Sequence, residues 1–384
     1  MNATLTLPLV NRKHSPFDEE LIAFCVSLSE NLQEIKGDPA LAALAFWLRK
    51  GNLLQMKSTW DSTQSPNTLR VPRGLVFHIP PSNVDTMFVY SWILSLLMGN
   101  ANAVRLPTKK TTTSDTLFEC VKNTLKHYPE LDQSNRFISY GHDLKITEEI
   151  SKQSDVRVIW GGDQTVNTIR SIPLKPSAKE LVFCDRSSFS VIDGNVYCSV
   201  SKEEKATLAK QFFNDTFWFD QAACSSPRTL YWLHQSCEEF YTYLSDEIKE
   251  RAFEVPLGGF LDKLTFTMNL ILESPIQKIT TYHNELTVIH TTTPPKEHCG
   301  RGLLYHVELS SLNDLIPFID QKDQTMTYYG IKADEVARFV QQLNGRGVDR
   351  AVPIGQALQF TPIWDGYHLL EELTRLIKVP GEQT

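Results

Sequence analysis

Residues 74–110 read GLVFHIPPSNVDTMFVYSWILSLLMGNANAVRLPTKK. Gly74–Ile79 is a short apolar β-type run, and Pro80-Pro81-Ser82-Asn83 makes a turn. An apolar helix follows to Gly99-Asn100, and Asn102–Leu106 reads as the next strand. A strand, a helix of that length and a second strand imply a βαβ unit with parallel strands. The apolar stretch Val84–Met98 carries Asp85, Ser91 and Ser95 and is too short to span a bilayer, so it reads as a buried helix.

The same alternation extends outward. Thr111–Lys126 reads as a helix, Arg136–Tyr140 and Val156–Trp160 as strands, and Gly161-Gly162 leads into a helix through Ile169. The expected fold class is therefore α/β, with a Rossmann-like sheet. Upstream, Phe17–Met56 shows two helical runs, the second started by Asp38-Pro39, and polar Ser58–Asn67 reads as a loop. Beyond Lys179 the strands Leu181–Phe183 and Phe189–Ile192 lie close together. Ser201 with Glu204 forms a capping box, Thr229–Leu233 is a strand, and Cys237–Arg251 and Gly366–Ile377 are helices. The expected division is 1–178, 179–345 carrying a second α/β unit, and a C-terminal segment 346–384 packing between domains or at a subunit contact.

A chain of 384 residues is more than one core usually serves. With 41% hydrophobic and 22% charged residues it is ordinarily globular, and a net charge of -7 offers no basic field for nucleic acid. Met1–Val10 lacks a secretory pattern. The seven cysteines show no metal-ligand spacing, which together suggest reduced thiols and a cytoplasmic protein.

Four segments carry chemical potential. Cys224, in Asp220-Gln-Ala-Ala-Cys-Ser-Ser-Pro-Arg228, lies in a loop of small residues between a helix and a strand. That setting suits a thiolate nucleophile, although a lone loop cysteine is commonly a bystander. Asn83 reads either as an amide donor to an oxyanion or as a helix cap. Gly161-Gly162, directly after a strand, permits close approach of a phosphate but lacks the G-x-G-x-x-G spacing, and a plain tight turn reads equally well. The basic run Arg105-Leu-Pro-Thr108-Lys109-Lys110 ends a strand, where open sheets bind cofactors; a solvated loop is the bland alternative.

Taken together, Pro81-Ser82-Asn83, Gly99-Asn100 with Arg105, Gly161-Gly162 and Gln221-x-x-Cys224 resemble the aldehyde-dehydrogenase superfamily. More closely, Leu41–Arg49, Trp160–Asp163, Asp220–Pro227 and Val352–Leu358 with Ile363–Tyr367 resemble the fatty-acyl-CoA reductases of bacterial bioluminescence, the LuxC family. The resemblance implies Cys224 as nucleophile, with Asn83 and the Cys224 N–H as oxyanion hole. It further implies Ile79, Pro81 and Ser82 along the nicotinamide, Arg105 and Thr108 at the adenosine ribose, and Gly161 and Gly162 near the pyrophosphate. Thr108 in place of a glutamate, beside Lys109 and Lys110, favours NADP(H) over NAD(H).

The implied reaction is reduction of an acyl-CoA or acyl-carrier thioester to an aldehyde through an acyl-cysteine. A homo-oligomer or an acyl-transfer partner subunit would accompany it, and no membrane span. Two departures stand out. The general-base glutamate of aldehyde oxidisers has no counterpart at the equivalent position in Leu181–Arg186, Glu180 lying two residues from it, and the motif holding the nicotinamide ribose is missing near Gly302–His306. The alternatives are aldehyde oxidation by the same site, with Glu180 as base, or a cysteine acyltransferase or thioesterase without nicotinamide, with His234 or His306 as base.

Overall fold

The computed structural model describes residues 7–10, 13–81, 83–141 and 143–379. The chain divides into two compact units, 1–184 with 360–384, and 185–359.

The first unit begins with three helices, α1 (Glu19–Gln33), α2 (Pro39–Trp47) and α3 (Lys50–Ser62), where sequence periodicity suggests two. Asp38 caps α2 by accepting from the amides of Ala40 and Leu41, and extended backbone at Arg49 separates α2 from α3. Half of the polar stretch expected as loop is thus the end of α3, and β1 (Thr68–Pro72) follows it. The alternating region then runs β2 (Leu75–Ile79), α4 (Met87–Leu97), β3 (Ala101–Leu106), α5 (Thr112–Leu125), α6 (Pro129–Ser134), β4 (Asn135–Ser139), α7 (Leu144–Gln153), β5 (Val156–Trp160), α8 (Asp163–Arg170) and β6 (Lys179–Phe183). All five strands from β2 to β6 are parallel, in the order β4-β3-β2-β5-β6.

Both faces of that sheet are covered, as a parallel sheet requires. Leu75, Phe77 and Ile79 pack on one side with Ile150, Val166 and Ile169. Val76, Val104 and Val158 face the other side with α1, α2 and α4. Gly99 turns from α4 into β3 at φ +79°, where a Cβ would lie 2.6 Å from the His14 carbonyl, so only glycine fits there.

The second unit comprises β7 (Ser187–Asp193), α9 (Gly194–Ser199), α10 (Lys202–Phe217), β8 (Pro227–Leu233), α11 (Glu239–Glu250), α12 (Leu257–Glu273), β9 (Ile276–Tyr282), β10 (Leu286–Thr291) and β11 (Leu303–Leu309). A 3-10 turn (Leu312–Phe318), β12 (Asp323–Tyr329), α13 (Ala333–Leu343) and β13 (Arg350–Pro353) complete it. Its seven strands run β13-β12-β7-β8-β11-β10-β9, parallel except for the β9–β10 hairpin. Ser201 and Glu204 form the expected capping box at the start of α10.

Residues 360–379 return to the first unit as β14 (Ile363–Trp364), β15 (Tyr367–His368), α14 (Leu369–Glu372) and β16 (Thr374–Lys378). The expected helix Gly366–Ile377 is therefore only four residues long. Its second half is a strand because Thr374–Lys378 pairs antiparallel with Thr68–Pro72, a partner some three hundred residues away that overrides local propensity.

Candidate active site

Cys224 lies in the loop joining α10 to β8, and its thiol is half-buried; all seven cysteines are thiols rather than disulfides. Ahead of it the backbone takes two consecutive left-handed residues, Asp220 (φ 49°) and Gln221 (φ 58°). Neither is glycine, so the surroundings must hold this conformation against its intrinsic cost. The buried Gln221 amide does much of the holding. Its Nε2 donates to the Leu303 carbonyl (2.8 Å) and to that of Pro227 (3.4 Å), while its Oε1 accepts from the Gly302 amide (2.9 Å). Asp220 pairs with Arg301. On the other side, the Ser188 hydroxyl donates to the Cys224 carbonyl (2.7 Å) and accepts from the Thr325 amide (3.1 Å).

The 298–303 segment that receives Gln221 is itself pinned. His298 accepts at Nδ1 from the Gly300 amide (2.9 Å) and donates from Nε2 to the Leu303 carbonyl (2.8 Å), which fixes the neutral tautomer. Burial, aided by the Arg228 guanidinium, pushes its pKa down to about 3. Arg228 and His298 line a cavity of about 310 Å³ with Tyr231, Tyr305 and Phe318. Gly302, at φ +72°, lies so close to the Glu285 carbonyl that no Cβ fits. The Gly302–His306 stretch thus leads into β11 and braces the cysteine loop.

In the first unit, β2 is flanked by β3 on one side and β5 on the other, so the strand order reverses between β2 and β5. In open parallel sheets that reversal opens a crevice at the carboxyl ends, where dinucleotides bind. Ile79 and Pro81 leave β2 there, and Gly161 and Gly162 leave β5. Gly162 is the N-cap of α8 and makes no side-chain cap hydrogen bond, and a Cβ built on it would meet nothing within 4 Å. Open space above a helix N-terminus fits a pyrophosphate. Arg105, at the end of β3, stacks over Tyr140 (4.8 Å) and donates to the Gly141 carbonyl (2.8 Å), and Thr108, Lys109 and Lys110 follow it exposed. Ser82 lies outside the described residues. Asn83 is exposed, and α4 begins only at Met87 after Thr86, so Asn83 is not the helix cap that its residue type also allows.

The model of the acyl-CoA reductase (LuxC) family matches residues 52–376. The chain belongs to that family. Among curated LuxC relatives, the long-chain acyl-protein thioester reductase of Aliivibrio fischeri is 22% identical over 293 residues, covering 74% of this chain and 59% of that protein. The reductase of the same name from Photorhabdus luminescens is 23% identical over 294 residues, 74% and 58% of the two chains. The chain thus spans about three fifths of the length of these relatives. The solved fold is that of aldehyde dehydrogenases. The glyceraldehyde-3-phosphate dehydrogenase GapN of Methanocaldococcus jannaschii, complexed with NADP, superimposes with a TM-score of 0.67 at 11% identity over 94% of this chain and 89% of that one. An NAD-dependent aldehyde dehydrogenase from Sinorhizobium meliloti gives 0.69 at 10% identity over 96% and 82%.

Within this LuxC-family chain, the side chains considered as alternative bases are occupied. Glu180 accepts from Arg157 through Nε (2.8 Å) and Nη2, and from Arg170 (3.1 Å). His234 follows the carboxyl end of β8, whereas Cys224 precedes its amino end, and a seven-residue strand separates them by roughly 20 Å. It pairs instead with Asp193 at 3.7 Å. His306 is buried, with Nδ1 on the Tyr241 hydroxyl (2.7 Å), Nε2 near Glu308 (3.4 Å), and its ring 4.2 Å from that of His290. Sequence reasoning missed Ser188, Arg301 and Gly302 as supports of the loop. Only the Gln221-x-x-Cys224 spacing signalled that Gln221 mattered.

Proposed function

We propose that the protein reduces an acyl thioester, carried on CoA or an acyl carrier, to an aldehyde through a covalent acyl-Cys224. The observation that carries this reading is the LuxC-family match across 52–376, with Cys224 in a loop held in a costly backbone conformation. The Cys224 thiolate attacks the thioester carbonyl, the carbon–sulfur bond to the carrier breaks, and the carrier thiol leaves. Asn83 and the Cys224 N–H carry over from the family pattern as donors to the oxyanion formed in that step. A bound nicotinamide dinucleotide would supply the hydride that reduces the acyl carbon. Collapse of the thiohemiacetal on Cys224 then frees the aldehyde and returns the thiolate.

Ile79, Pro81, Ser82, Gly161 and Gly162 would hold the nicotinamide and pyrophosphate portions, and Arg105 and Thr108 the adenosine ribose. Thr108 with Lys109 and Lys110 presents cations and no carboxylate, which favours the extra phosphate of NADP(H). Engagement of Glu180 by two arginines supports reduction over oxidation to the acid, because water then lacks an activating base. Thiols rather than disulfides fit a cytoplasmic setting, and among the described residues no helix is long and apolar enough to cross a membrane.

The test combines a ladder of acyl-CoAs with NADPH or NADH, followed by nicotinamide absorbance, with radiolabelled acyl transfer to the protein. Cys224→Ala should lose acyl labelling and aldehyde formation while still binding dinucleotide. Acyl labelling that survives in this variant would remove Cys224 from the mechanism. Turnover of acyl-CoA without nicotinamide consumption would turn the reading toward an acyltransferase or thioesterase.

A further inference from the structure

Helix α12 (Leu257–Glu273) is built inside out. Its inward face carries Gly259, Lys263, Thr267 and Leu270, all buried. Lys263, the helix's one cation, donates to the carbonyls of Asn284 (2.6 Å) and Arg301 (2.9 Å). Its outward face shows Leu257, Leu261, Leu264, Met268, Ile271 and Leu272, between 41% and 84% exposed. Scattered exposed leucines are ordinary, but these are contiguous. Steps of four, three, four and three residues from Leu257 to Ile271 average 3.5, the heptad spacing that keeps one apolar seam on a helix.

We infer that α12 is a self-association surface, on which two copies of the chain pack their α12 helices antiparallel about a two-fold axis at Leu264. In that register Leu264 meets its own counterpart, Leu261 faces Met268, and Leu257 faces Ile271, so the seam is complementary to itself. The electrostatics agree. The α12 N-terminus has Pro256 as N-cap, no side-chain cap and no acid in its first turn, while Glu273 adds negative charge at the other end. Antiparallel packing sets the negative end of each helix beside the uncapped positive end of its mate.

Area agrees as well: the six side chains present on the order of 600 Å² per copy, so two copies cover about 1,200 Å², the lower end of a stable interface. A membrane surface is a poor occupant, because the outward face carries Asp262 and Glu273 and no lysine or arginine to meet anionic lipid.

Sedimentation over a wide dilution series tests this directly. The native chain should sediment as a dimer that dissociates on dilution. A Leu261→Glu/Met268→Glu variant should stay monomeric at every concentration, with unchanged circular dichroism and a melting temperature that, unlike the native one, does not rise with concentration. Leu264→Cys should cross-link to itself under mild oxidation, mapped by peptide analysis, whereas Asp262→Cys, exposed but off the seam, should not. A native chain that is monomeric throughout, or a glutamate variant that still dimerises, overturns the proposal. So does a monomer that instead sediments with anionic phospholipid vesicles.

Discussion

Replacing Gln221 with alanine removes an acceptor from the Gly302 amide and donors from the Leu303 and Pro227 carbonyls, all in a buried loop. The Leu303 carbonyl keeps His298 as donor, but the Gly302 amide is left unsatisfied, a defect that costs about 1–3 kcal/mol and also releases the backbone that presents Cys224. Gln221→Ala should lower the denaturation midpoint and slow acyl-enzyme formation at least tenfold, with dinucleotide affinity unchanged; equal labelling rates for the two proteins would refute the bracing role. Glu180→Gln separates the two oxidoreductase directions. It should cost about 1–3 kcal/mol of stability through weakened arginine pairing, yet leave acid formation from aldehyde at the native level, measured by product analysis. A specific loss of acid formation would restore Glu180 as a base. Cys224 was legible because its flanking residues form a recognisable string. What holds it was not, since Leu303 and Ser188 are tens of residues away and their chemical types announce nothing.

At the scale of elements, the β2–α4–β3 crossover could be read directly, because a strand, a buried apolar helix and a second strand leave one sensible arrangement. The strand at Thr374–Lys378 could not, since its partner is remote, and α12 went unread because its apolar residues face outward. Arg157 shows how the first sheet is locked. From β5 it reaches Ser151 in α7 (3.0 Å), the Ile172 carbonyl beyond α8 (3.0 Å) and Glu180 in β6. Breaking a buried pair of this kind costs roughly 3–5 kcal/mol, so Arg157→Ala should shift the urea midpoint strongly at constant slope. A shift equivalent to less than about 1 kcal/mol would mean that Arg170 alone satisfies Glu180.

For the whole molecule, acidity is the condition most clearly written into the structure. His78 bonds Ser91 (2.8 Å) and Asn102 (3.1 Å), and burial lowers its pKa from 6.5 to about 4. Burial lowers His298 and His306 as well. The unfolded chain takes up these protons below about pH 6.5 while the folded one refuses them, so their contribution is full above that pH and is lost as pH falls toward 4. Asp215, raised by burial to about 7, acts in the opposite sense, so a single-site comparison is the clean measurement. His78→Gln should melt lower than the native protein at neutral pH, and its melting temperature should fall less steeply between pH 6.5 and 4. Parallel curves would show that His78 is not the acid-sensitive group.

The sequence suggests segments 1–178, 179–345 and 346–384; the compact units divide after Cys184 and after Gln359, and the closing segment pairs with β1. That pairing gives the first unit a delayed completion on the ribosome. β1 emerges early, yet its mate is translated about three hundred residues later, an interval of roughly 15–60 s at ordinary elongation rates. The intervening unit has its whole sequence available sooner and can mature while the older one still shows an unzipped edge. Nascent chains of this protein therefore have a built-in window in which chaperone binding or edge-to-edge aggregation competes with the last strand.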